Sequence, residues 1–377
     1  MNDYKAKYYI LVLIWLITNG ICIHYYSNKY IGYPIFATIA STLVSIICLN
    51  LGPKLFLKKN QKKLFIWFSL IFFTIVCIYL FQIFPKESNG NDKWSDIVAF
   101  WDRYLKGFNG WAARGHIGNR ISSMPTNLIL AFPFYYFDII DYFSIFSFLA
   151  FWFYIKKNNS DISDWQFNLY LFIFISPAIF MEVVGRSNLL LNGTIYLFAV
   201  DLLFKILPKK SNKNLSIAAI IMGIAIGYRL AFAPTLIMLL FYLYLSEKLS
   251  LKEILLFGSI LTLILVLLFI PFIWNHWADF QINHPFIKQA KITKSQTALI
   301  LTIGIFFAFN IKNQLDVYFY TVVLVFIAVL LGCIQYTRYT TLLYNAMTFP
   351  LIIKYLYLNE VVPLLVCPQT IKLERKT

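Results

Sequence analysis

The sequence predicts an all-α integral membrane protein: a polytopic bundle of about twelve transmembrane helices, with an interfacial helix in a large outer loop. Two observations carry this prediction. Of the 377 residues, 60% are hydrophobic and only 13% are charged, and the mean hydropathy is +0.69. A water-soluble domain of this length cannot bury so much apolar surface. The apolar residues are also gathered into runs long enough to cross, or nearly cross, a bilayer.

Twelve apolar runs are the predicted spans, and we expect the first to be retained because no small-residue cleavage site follows it. The loops at 52–63 and 205–213 carry Lys and no acid, which predicts a cytoplasmic position for both. Alternation then places both chain termini in the cytoplasm, provided that the run at 124–140 lies along the surface, broken by Pro125 and Pro133. The predicted spans cover residues 8–25, 33–50, 64–84, 142–156, 166–183, 188–207, 215–229, 232–246, 251–274, 297–309, 316–334 and 343–358.

Residues 1–363 are expected to form a single polytopic transmembrane domain, followed by a cytoplasmic tail at 364–377. The net charge of +16 does not indicate nucleic-acid binding, because the Lys residues cluster in short loops between spans, where they set topology. The five cysteines are odd in number and lack the spacing of metal ligands. We therefore expect neither a disulfide framework nor a zinc site.

The long polar segment between the third and fourth predicted spans is the candidate functional region. The alternation places residues 85–123 outside, and a membrane protein has little reason to keep so long a charged and aromatic loop unless it acts at the bilayer surface. All four histidines of the chain also fall outside or at the outer boundary: His24, His116, His276 and His284. We therefore expect an extracytoplasmic catalytic loop.

Three- and four-residue spacing predicts a short helix at residues 92–106, lying in the membrane interface with its Trp rings at headgroup depth. Its polar face would carry Asp92, Lys93, Asp96 and Arg103. The glycines after this helix predict a flexible stretch that holds Arg114, His116 and Arg120. The apolar stripe of the helix consists of Trp94, Ile97, Val98, Trp101, Tyr104 and Leu105.

The chemistry of this loop must work without a phosphate-binding glycine loop, a nucleophile elbow or a metal-ligand motif, because the sequence has none of these. A carboxylate can act as general base for a sugar hydroxyl, and arginines can hold a lipid-linked phosphate leaving group. These are the requirements of an enzyme that takes a sugar from a polyprenyl-phosphate carrier.

Three segments resemble the GT-C class of membrane glycosyltransferases, and within it the polyprenol-phosphate-mannose-dependent α-mannosyltransferases of glycosyltransferase family 87. The first is SDIVAFWDRYLKGFNGW (95–111) followed by MPTNLILAFPFYYF (124–137). The second is SPAIFMEVVGRSNLLLNGTIYLFAV (176–200), and the third is IAAIIMGIAIGYRLAFAPTLIMLLFYLYL (217–245). The resemblance covers residues 92–246.

This sequence departs from the family pattern: its Pro pair is reduced to Pro125, three predicted spans instead of one precede the loop, and two site positions differ. Arg186 stands where the family has Gln, and Arg229 stands where it has Lys. The donor sugar therefore stays open: mannose, another hexose, a pentose or an aminoarabinose-like sugar all fit.

The resemblance implies that Asp96 is the base that activates the acceptor hydroxyl, with Asp92 and Asp102 as rivals. A guanidinium at Arg186 or Arg229 would grip the carrier phosphate, and the amide of Asn188 a sugar hydroxyl. The plainer alternatives are snorkelling of Arg186 beside Glu182 and anchoring by Arg229. The expected substrate-binding residues are Arg103, Arg114, His116, Arg120, Arg186, Asn188, Arg229 and His276.

No cofactor is required by this interpretation, and we assign no metal ligands. His276 and Asp279, with His284, are only a weak candidate for a divalent cation, because their spacing is irregular. The expected partners are a polyprenyl-phosphate-linked sugar donor, a glycan or glycolipid acceptor and membrane lipid, at the outer face of a bacterial cytoplasmic membrane.

Two other functions stay open. A lipid-linked polysaccharide polymerase needs similar spans and outer arginines. A lipid-linked oligosaccharide flippase or other transporter would show paired halves and acids within its spans. The sequence has no internal repeat, and Asp201 is the one acid deep within a predicted span.

Overall fold

The protein is described by a computed structural model at residues 2–30, 59–84, 93–156, 164–209, 211–286, 294–336 and 347–358, and at a few positions between 33 and 43. Its named elements are all helical, as the sequence predicts. In chain order they are α1 (Asn2–Tyr30), α2 (Lys59–Ile83), α3 (Lys93–Tyr104), α4 (Pro125–Tyr136), α5 (Tyr142–Lys156), α6 (Asp164–Phe174), α7 (Pro177–Val184), α8 (Leu189–Ile206), α9 (Asn212–Tyr228), α10 (Ala233–Leu245), α11 (Leu251–Ile273), α12 (Trp277–Ile282), α13 (Lys294–Asn310), α14 (Gln314–Tyr336) and α15 (Phe349–Leu358).

Within the described part of the chain, five helices are long and apolar enough to cross a membrane, so the prediction of about twelve spans is wrong. A helix rises 1.5 Å per residue, and a hydrocarbon core of ~30 Å needs about twenty residues. Three further apolar helices are shorter: Tyr142–Lys156, Leu230–Leu245 and Gln296–Asn310. The five candidate spans are Ala6–His24, Asn60–Ile83, Leu189–Ile206, Leu251–Ile273 and Gln314–Leu331. They indicate an integral membrane protein.

One predicted span is broken in its middle. The run at 166–183 divides into α6 and α7, because Pro177 has no backbone N–H to continue the first helix. Ser176 caps α7 by accepting a hydrogen bond from Ile179 N at 3.3 Å. Asn19 of α1 adds a second cap, since its Oδ1 accepts from Ala178 N at 3.0 Å. The break between α6 and α7 is therefore stabilised by the side chain of Asn19 on α1.

Pro133 does not break its run, contrary to expectation: α4 begins with Pro125 at its first turn and continues through Pro133 to Tyr136. The predicted span at 33–50 lies mostly outside the described residues. So do the tail at 364–377 and the first part of the run at 343–358.

Helix α15, the last described helix of the chain, lies in the centre of the bundle. Every residue of α15 from Leu351 to Leu356 is buried, and the helix contacts α1, α5, α6, α8 and α14. Gly193 of α8 makes this approach feasible, because a Cβ there would lie 1.9 Å from the carbonyl oxygen of Met347. The bundle is thus built around a helix that the sequence predicts only as the last span, at 343–358.

The two ends of the bundle bring together the segments that alternation predicts. At the end that we call the inner end, Lys7 of α1 pairs with Asp316 of α14 at 2.8 Å. At the opposite, outer end, Lys93 of α3 donates to Ser187 Oγ at 2.7 Å. In each pair, the two segments are ones that the topology predicted from the Lys-rich loops places on the same side of the membrane. Which end faces the cytoplasm stays a prediction.

Candidate functional site

Helix α3 forms where the periodicity predicts it, and its apolar stripe packs against other parts of the protein. The stripe of Trp94, Ile97 and Trp101 is buried together with Phe100 in a second hydrophobic core. That core is completed by residues of α4, α9 and α11, so the Trp rings pack against protein. The position of these rings at headgroup depth stays a prediction. Asp92 lies outside the described residues.

The glycine-rich segment after α3 folds back onto that helix. Trp111 Nε1 donates to Ser123 O at 2.9 Å, and Trp101 Nε1 donates to Leu128 O at 3.2 Å. Gly110 lies beneath the ring of Phe100, where a Cβ would come within 2.6 Å of ring carbons. The segment is therefore packed, whereas the sequence predicts a flexible stretch.

The predicted substrate-binding residues His116 and Arg103 lie at separate places around α3. His116 stacks on Trp94 with ring centroids 5.2 Å apart, and its Nδ1 lies 2.8 Å from Ser95 Oγ. Arg103 donates from Nε to Asn109 O at 3.0 Å. The described structure thus gives His116 and Arg103 local partners within the loop that covers α3.

Arg114 and Arg120 face each other across an isolated antiparallel bridge. Arg114 is exposed, whereas Arg120 is half-buried. Arg120 lies close enough to His284 to affect it: burial first, and then the charge of Arg120, lowers the pKa of the His284 imidazole. His284 is therefore held neutral at pH 7 beside a permanent cation.

Asp96 is buried within the fold, with 1% of its surface exposed. One oxygen, Oδ2, accepts hydrogen bonds from the backbone N and the Oγ of Ser122, both at 3.2 Å. The sequence places Asp96 on a polar, solvent-facing side of α3, but the returning loop covers that side. Asp96 ties α3 to the segment that leads into α4.

A series of polar contacts runs from Ser123, the residue after Ser122, to Tyr228, the residue before Arg229. Asn127 Nδ2 donates to Ser123 Oγ at 3.2 Å, and Asn127 Oδ1 accepts from Asn188 Nδ2 at 2.7 Å. The backbone oxygen of Asn188 accepts from the hydroxyl of Tyr228 at 3.4 Å, one residue before Arg229. The starts of α4 and α8 and the end of α9 therefore meet here. Asn188 is part of this contact, whereas Asp96 and Arg229 neighbour it in the sequence through Ser122 and Tyr228.

Arg186 is held by the protein itself. Its Nε donates to Asp141 Oδ1 at 2.9 Å, and its Nη2 donates to the carbonyl oxygens of Phe81 and Phe84 at 3.1 and 3.0 Å. Glu182, which the sequence suggests as its neighbour, instead lies 3.8 Å from Lys93 Nζ. This geometry favours a structural role for Arg186, since its guanidinium already bonds to an acid and to carbonyl groups.

An open groove of about 490 Å³ runs between α3 and the turn that follows α4. The hydroxyl of Tyr135 donates to Asp102 Oδ1 at 2.6 Å. Burial first, and then the hydrogen bond and charge of Asp102, raises the pKa of Tyr135 to about 12, so Tyr135 stays a donor at neutral pH. We call this feature the acidic groove; it is lined by Val98, Asp102, Leu105, Tyr135, Tyr136, Asp138 and Ile140.

Sequence reasoning missed most of the acidic groove. Of its polar lining residues, only Asp102 was a predicted site residue. Tyr135 and Asp138 belong to the run at 124–140, and the mostly apolar composition of this run does not predict a polar site. The one signal was Asp138, an acid near the end of this apolar run. Asp138 adopts a left-handed conformation with a φ of 54°, and its N–H bonds back to Tyr135 O at 2.9 Å, which ends α4 beside α3.

The weak metal candidate gains no support. His276 precedes the short helix α12, on which Asp279 is exposed. Among the described residues, no group of three or more His, Cys, Asp or Glu side chains is arranged to hold a metal ion.

A second polar cluster lies at the inner end. The carboxylate of Asp201 on α8 accepts from the hydroxyls of Tyr154 on α5 and Tyr318 on α14, and from Gln314 Nε2 at 3.0 Å. Lys354 of α15 lies 3.6 Å from the same carboxylate. Four helices therefore meet at one acid, which the sequence marked only as a charge inside a span.

The sequence matches no protein-family model, and no curated protein or solved structure matches the chain. The resemblance of residues 92–246 to a glycosyltransferase family therefore stays a prediction based on its motifs.

Proposed function

We propose that the protein is a membrane glycosyltransferase that moves a sugar, for example a hexose such as mannose, from a polyprenyl-phosphate carrier to a glycan or glycolipid acceptor. The reaction would take place at the outer face of a bacterial cytoplasmic membrane, in a GT-C-like bundle. The observation that carries the proposal is the acidic groove. It offers an exposed carboxylate, a fixed tyrosine hydroxyl and apolar walls at the end of the bundle that holds the polar loop.

Asp102 is the general base in this proposal. A base must come within about 3 Å of the hydroxyl that it deprotonates. Asp102 is exposed at the groove, whereas Asp96 is buried and bonded to Ser122. Tyr135 occupies Oδ1 of Asp102, which leaves Oδ2 to face an acceptor. Asp102 was already a rival of Asp96 in the sequence, and accessibility now favours it.

Arg229 is the better of the two candidates for the carrier phosphate. It is half-buried at the end of α9, beside the polar chain from Asn188 to Ser123. Arg186 is less suited, since binding a phosphate would require it to release Asp141. If Arg229 grips the phosphate with two hydrogen bonds, Arg229→Lys should lower transfer at least about tenfold with the folded amount unchanged, because Lys keeps the charge without the planar fork. Full activity of both Arg229→Lys and Arg229→Gln would leave only an anchoring role.

The decisive experiment measures transfer of radiolabelled sugar from polyprenyl phosphate by the purified protein in liposomes. Asn keeps the shape of Asp without its basicity, so Asp102→Asn should lower turnover by about 10²–10⁴-fold. Asp96→Asn should lower the amount of folded protein instead, with near-normal turnover per folded molecule. Glu247→Gln, at an exposed acid far from α3 in the chain, is the control and should have no effect.

The contrary outcomes are distinct. An inactive but folded Asp96→Asn beside an active Asp102→Asn would reassign the base to Asp96. Normal turnover in both variants would remove the groove from the reaction. Joining of whole repeat units, rather than of single sugars, would identify a polymerase.

One observation favours a second candidate, a transporter of lipid-linked sugars. Asp201 and Lys354 form an ion pair inside the bundle, and charges within spans commonly mark transport pathways. A transporter would move a labelled lipid-linked sugar across a liposome bilayer without forming a new glycosidic bond. In that case Asp201→Asn should abolish movement, while Asp102→Asn should not.

A further inference from the structure

We propose that the acidic groove selects an acceptor with an uncharged or cationic polyhydroxylated head, carried on a lipid. That this lipid is the acceptor of the reaction rests on the proposed function. That it binds in the groove does not, because binding can be measured without a sugar donor. The proposal narrows the acceptor from any glycan to a glycolipid, and it excludes anionic heads.

The charge of the lining is the first argument. The groove is lined by two carboxylates, Asp102 and Asp138, and by no Lys, Arg or His. Two cations neighbour lining residues in the sequence, and neither lines the groove. Arg103 bonds to Asn109 O and lies over the ring of Phe108, 5.4 Å from its centroid, and Lys106 is exposed. A cleft lined by charges of one sign attracts ions of the opposite sign and repels like charges. Phosphate, sulfate or uronate heads are therefore disfavoured.

The kinds of polar groups are the second argument. Carboxylates only accept hydrogen bonds when ionised, so they suit a ligand with several hydroxyl donors. The Tyr135 hydroxyl fixes Asp102 in one orientation at 2.6 Å. Tyr136 contributes a ring that is 69% exposed, and a flat aromatic face suits the apolar C–H face of a sugar ring. Together these groups match a neutral sugar.

The surroundings of the groove are the third argument, and they indicate a lipid. Phe137 and Ile139 are exposed on the turn between the lining residues Tyr136 and Ile140. Tyr142, two residues beyond Ile140, begins α5, and exposed aromatic rings continue along that helix at Phe146 and Phe153. An apolar surface therefore extends from the groove along a helix of the bundle, where a lipid chain would lie.

The test is equilibrium binding of three radiolabelled probes to the protein in nanodiscs, corrected with empty nanodiscs. The probes are octyl β-glucoside, which is neutral, octyl β-glucuronide, which is anionic, and free glucose. We expect the glucoside to bind at least about tenfold more tightly than the glucuronide, from charge repulsion. We also expect it to bind at least about tenfold more tightly than free glucose, from the buried chain.

Two variants assign these preferences to the groove. The double variant Asp102→Asn with Asp138→Asn removes both charges and keeps hydrogen-bond acceptors, so the glucoside-to-glucuronide ratio should fall to within about threefold. Tyr136→Ala should weaken both alkyl glycosides without changing their ratio. Glu247→Gln is the control, because Glu247 shares the left-handed backbone conformation of Asp138, with the same φ of 54°, outside the groove.

Each part of the proposal has an outcome that overturns it. Equal binding of glucoside and glucuronide, or a ratio unchanged in the double variant, overturns the charge selection. Equal binding of octyl glucoside and glucose overturns the lipid part. Selective binding with no sugar transfer would support this inference and overturn the proposed enzyme. Sugar transfer without selective binding would support the enzyme and overturn this inference.

Discussion

Arg186 bonds through its Nε to Oδ1 of Asp141 at 2.9 Å, while its backbone has the left-handed φ of 57° that glycine usually supplies. The N–H of Ser187 bonds back to Glu182 O at 2.8 Å, and that of Arg186 to Val183 O at 2.9 Å, which is the Schellman ending of a helix. The side chain therefore offsets a strained backbone by joining the end of α7 to the turn before α5 and to the end of α2.

Arg186→Ala should destabilise the protein by about 3 kcal/mol. The change leaves Asp141 without its guanidinium, but 17% of the Asp141 side chain is exposed and water can solvate part of its charge. The measurement is unfolding by heat or denaturing detergent in micelles. Activity per folded molecule should stay unchanged, and a fold-intact but inactive Arg186→Ala would restore Arg186 to the substrate site.

Arg186→Gly is the matched control for backbone strain. It loses the same contacts as Arg186→Ala but fits the left-handed conformation, so it should be about 1 kcal/mol more stable than the Ala variant. Equal stability of the two variants would contradict a strained helix end.

The pair of Asp201 and Lys354 should show strong coupling. Lys354 is 4% exposed, so Asp201→Asn should cost about 3 kcal/mol by removing the carboxylate beside a buried cation. Lys354→Met should be comparably harmful, whereas Asp201→Asn combined with Lys354→Met should cost less than the sum of the two single changes. Unfolding in micelles measures this cycle, and additive losses would contradict a direct interaction.

Gly193 and Gly258 should respond oppositely to Ala. A Cβ at Gly193 would meet the backbone of Met347 at 1.9 Å, so Gly193→Ala should cost at least about 3 kcal/mol by forcing α8 and α15 apart. Nothing lies within 4 Å of a Cβ at Gly258 on α11. Gly258→Ala should therefore stabilise the protein by about 0.5 kcal/mol through lower backbone entropy in the unfolded chain. A tolerated Gly193→Ala would contradict the close approach.

The contact between Tyr135 and Asp102 predicts a pH dependence. Folding raises the pKa of Tyr135 from 10.0 to about 12, so the folded state holds this proton more tightly than the unfolded state. The resulting stability is fully present below pH 10 and is lost as the pH rises through about 12. The difference in unfolding temperature between wild type and Tyr135→Phe should be constant from pH 7 to 10 and shrink above it. A difference in unfolding temperature that grows above pH 10 would contradict the raised pKa of Tyr135.

Cysteine labelling tests the orientation of the bundle. In a variant without native cysteines, a membrane-impermeant maleimide should label Lys106→Cys and Ile117→Cys from outside intact cells. It should reach Lys213→Cys and Glu247→Cys only after permeabilisation. All four positions are exposed, so burial does not confuse the result. The reverse pattern would place the acidic groove in the cytoplasm and exclude the proposed reaction.

The sequence predicted the helical class and the position of α3 because both follow from local periodicity and composition. It misplaced Asp96 because periodicity shows which face of α3 is apolar, but not whether a later loop returns to cover the polar face. Gly110 and Trp111 belong to that returning loop, and only their contacts with Phe100 and Ser123 reveal it.

The number of spans was overpredicted for a related reason. An apolar run shows that residues are buried, but lipid and protein interior bury them equally well. The run at 166–183 reads as one span, yet the Asn19 side chain of α1 caps a break in it at Ser176. The ion pair of Lys354 with Asp201 could not be predicted, because the two residues are distant in the sequence and such a pair leaves no local pattern.

The central position of α15 has a consequence for biosynthesis. A ribosome completes this helix after every other described helix, so the earlier helices enter the membrane before the element around which they pack exists. Until then, Asp201 and the surface around Gly193 face an unfilled space. Chains stopped before Met347 should therefore leave Asp201 without Lys354 and the surface at Gly193 without its cover, so the last helix to be made would complete the packing of the earlier ones.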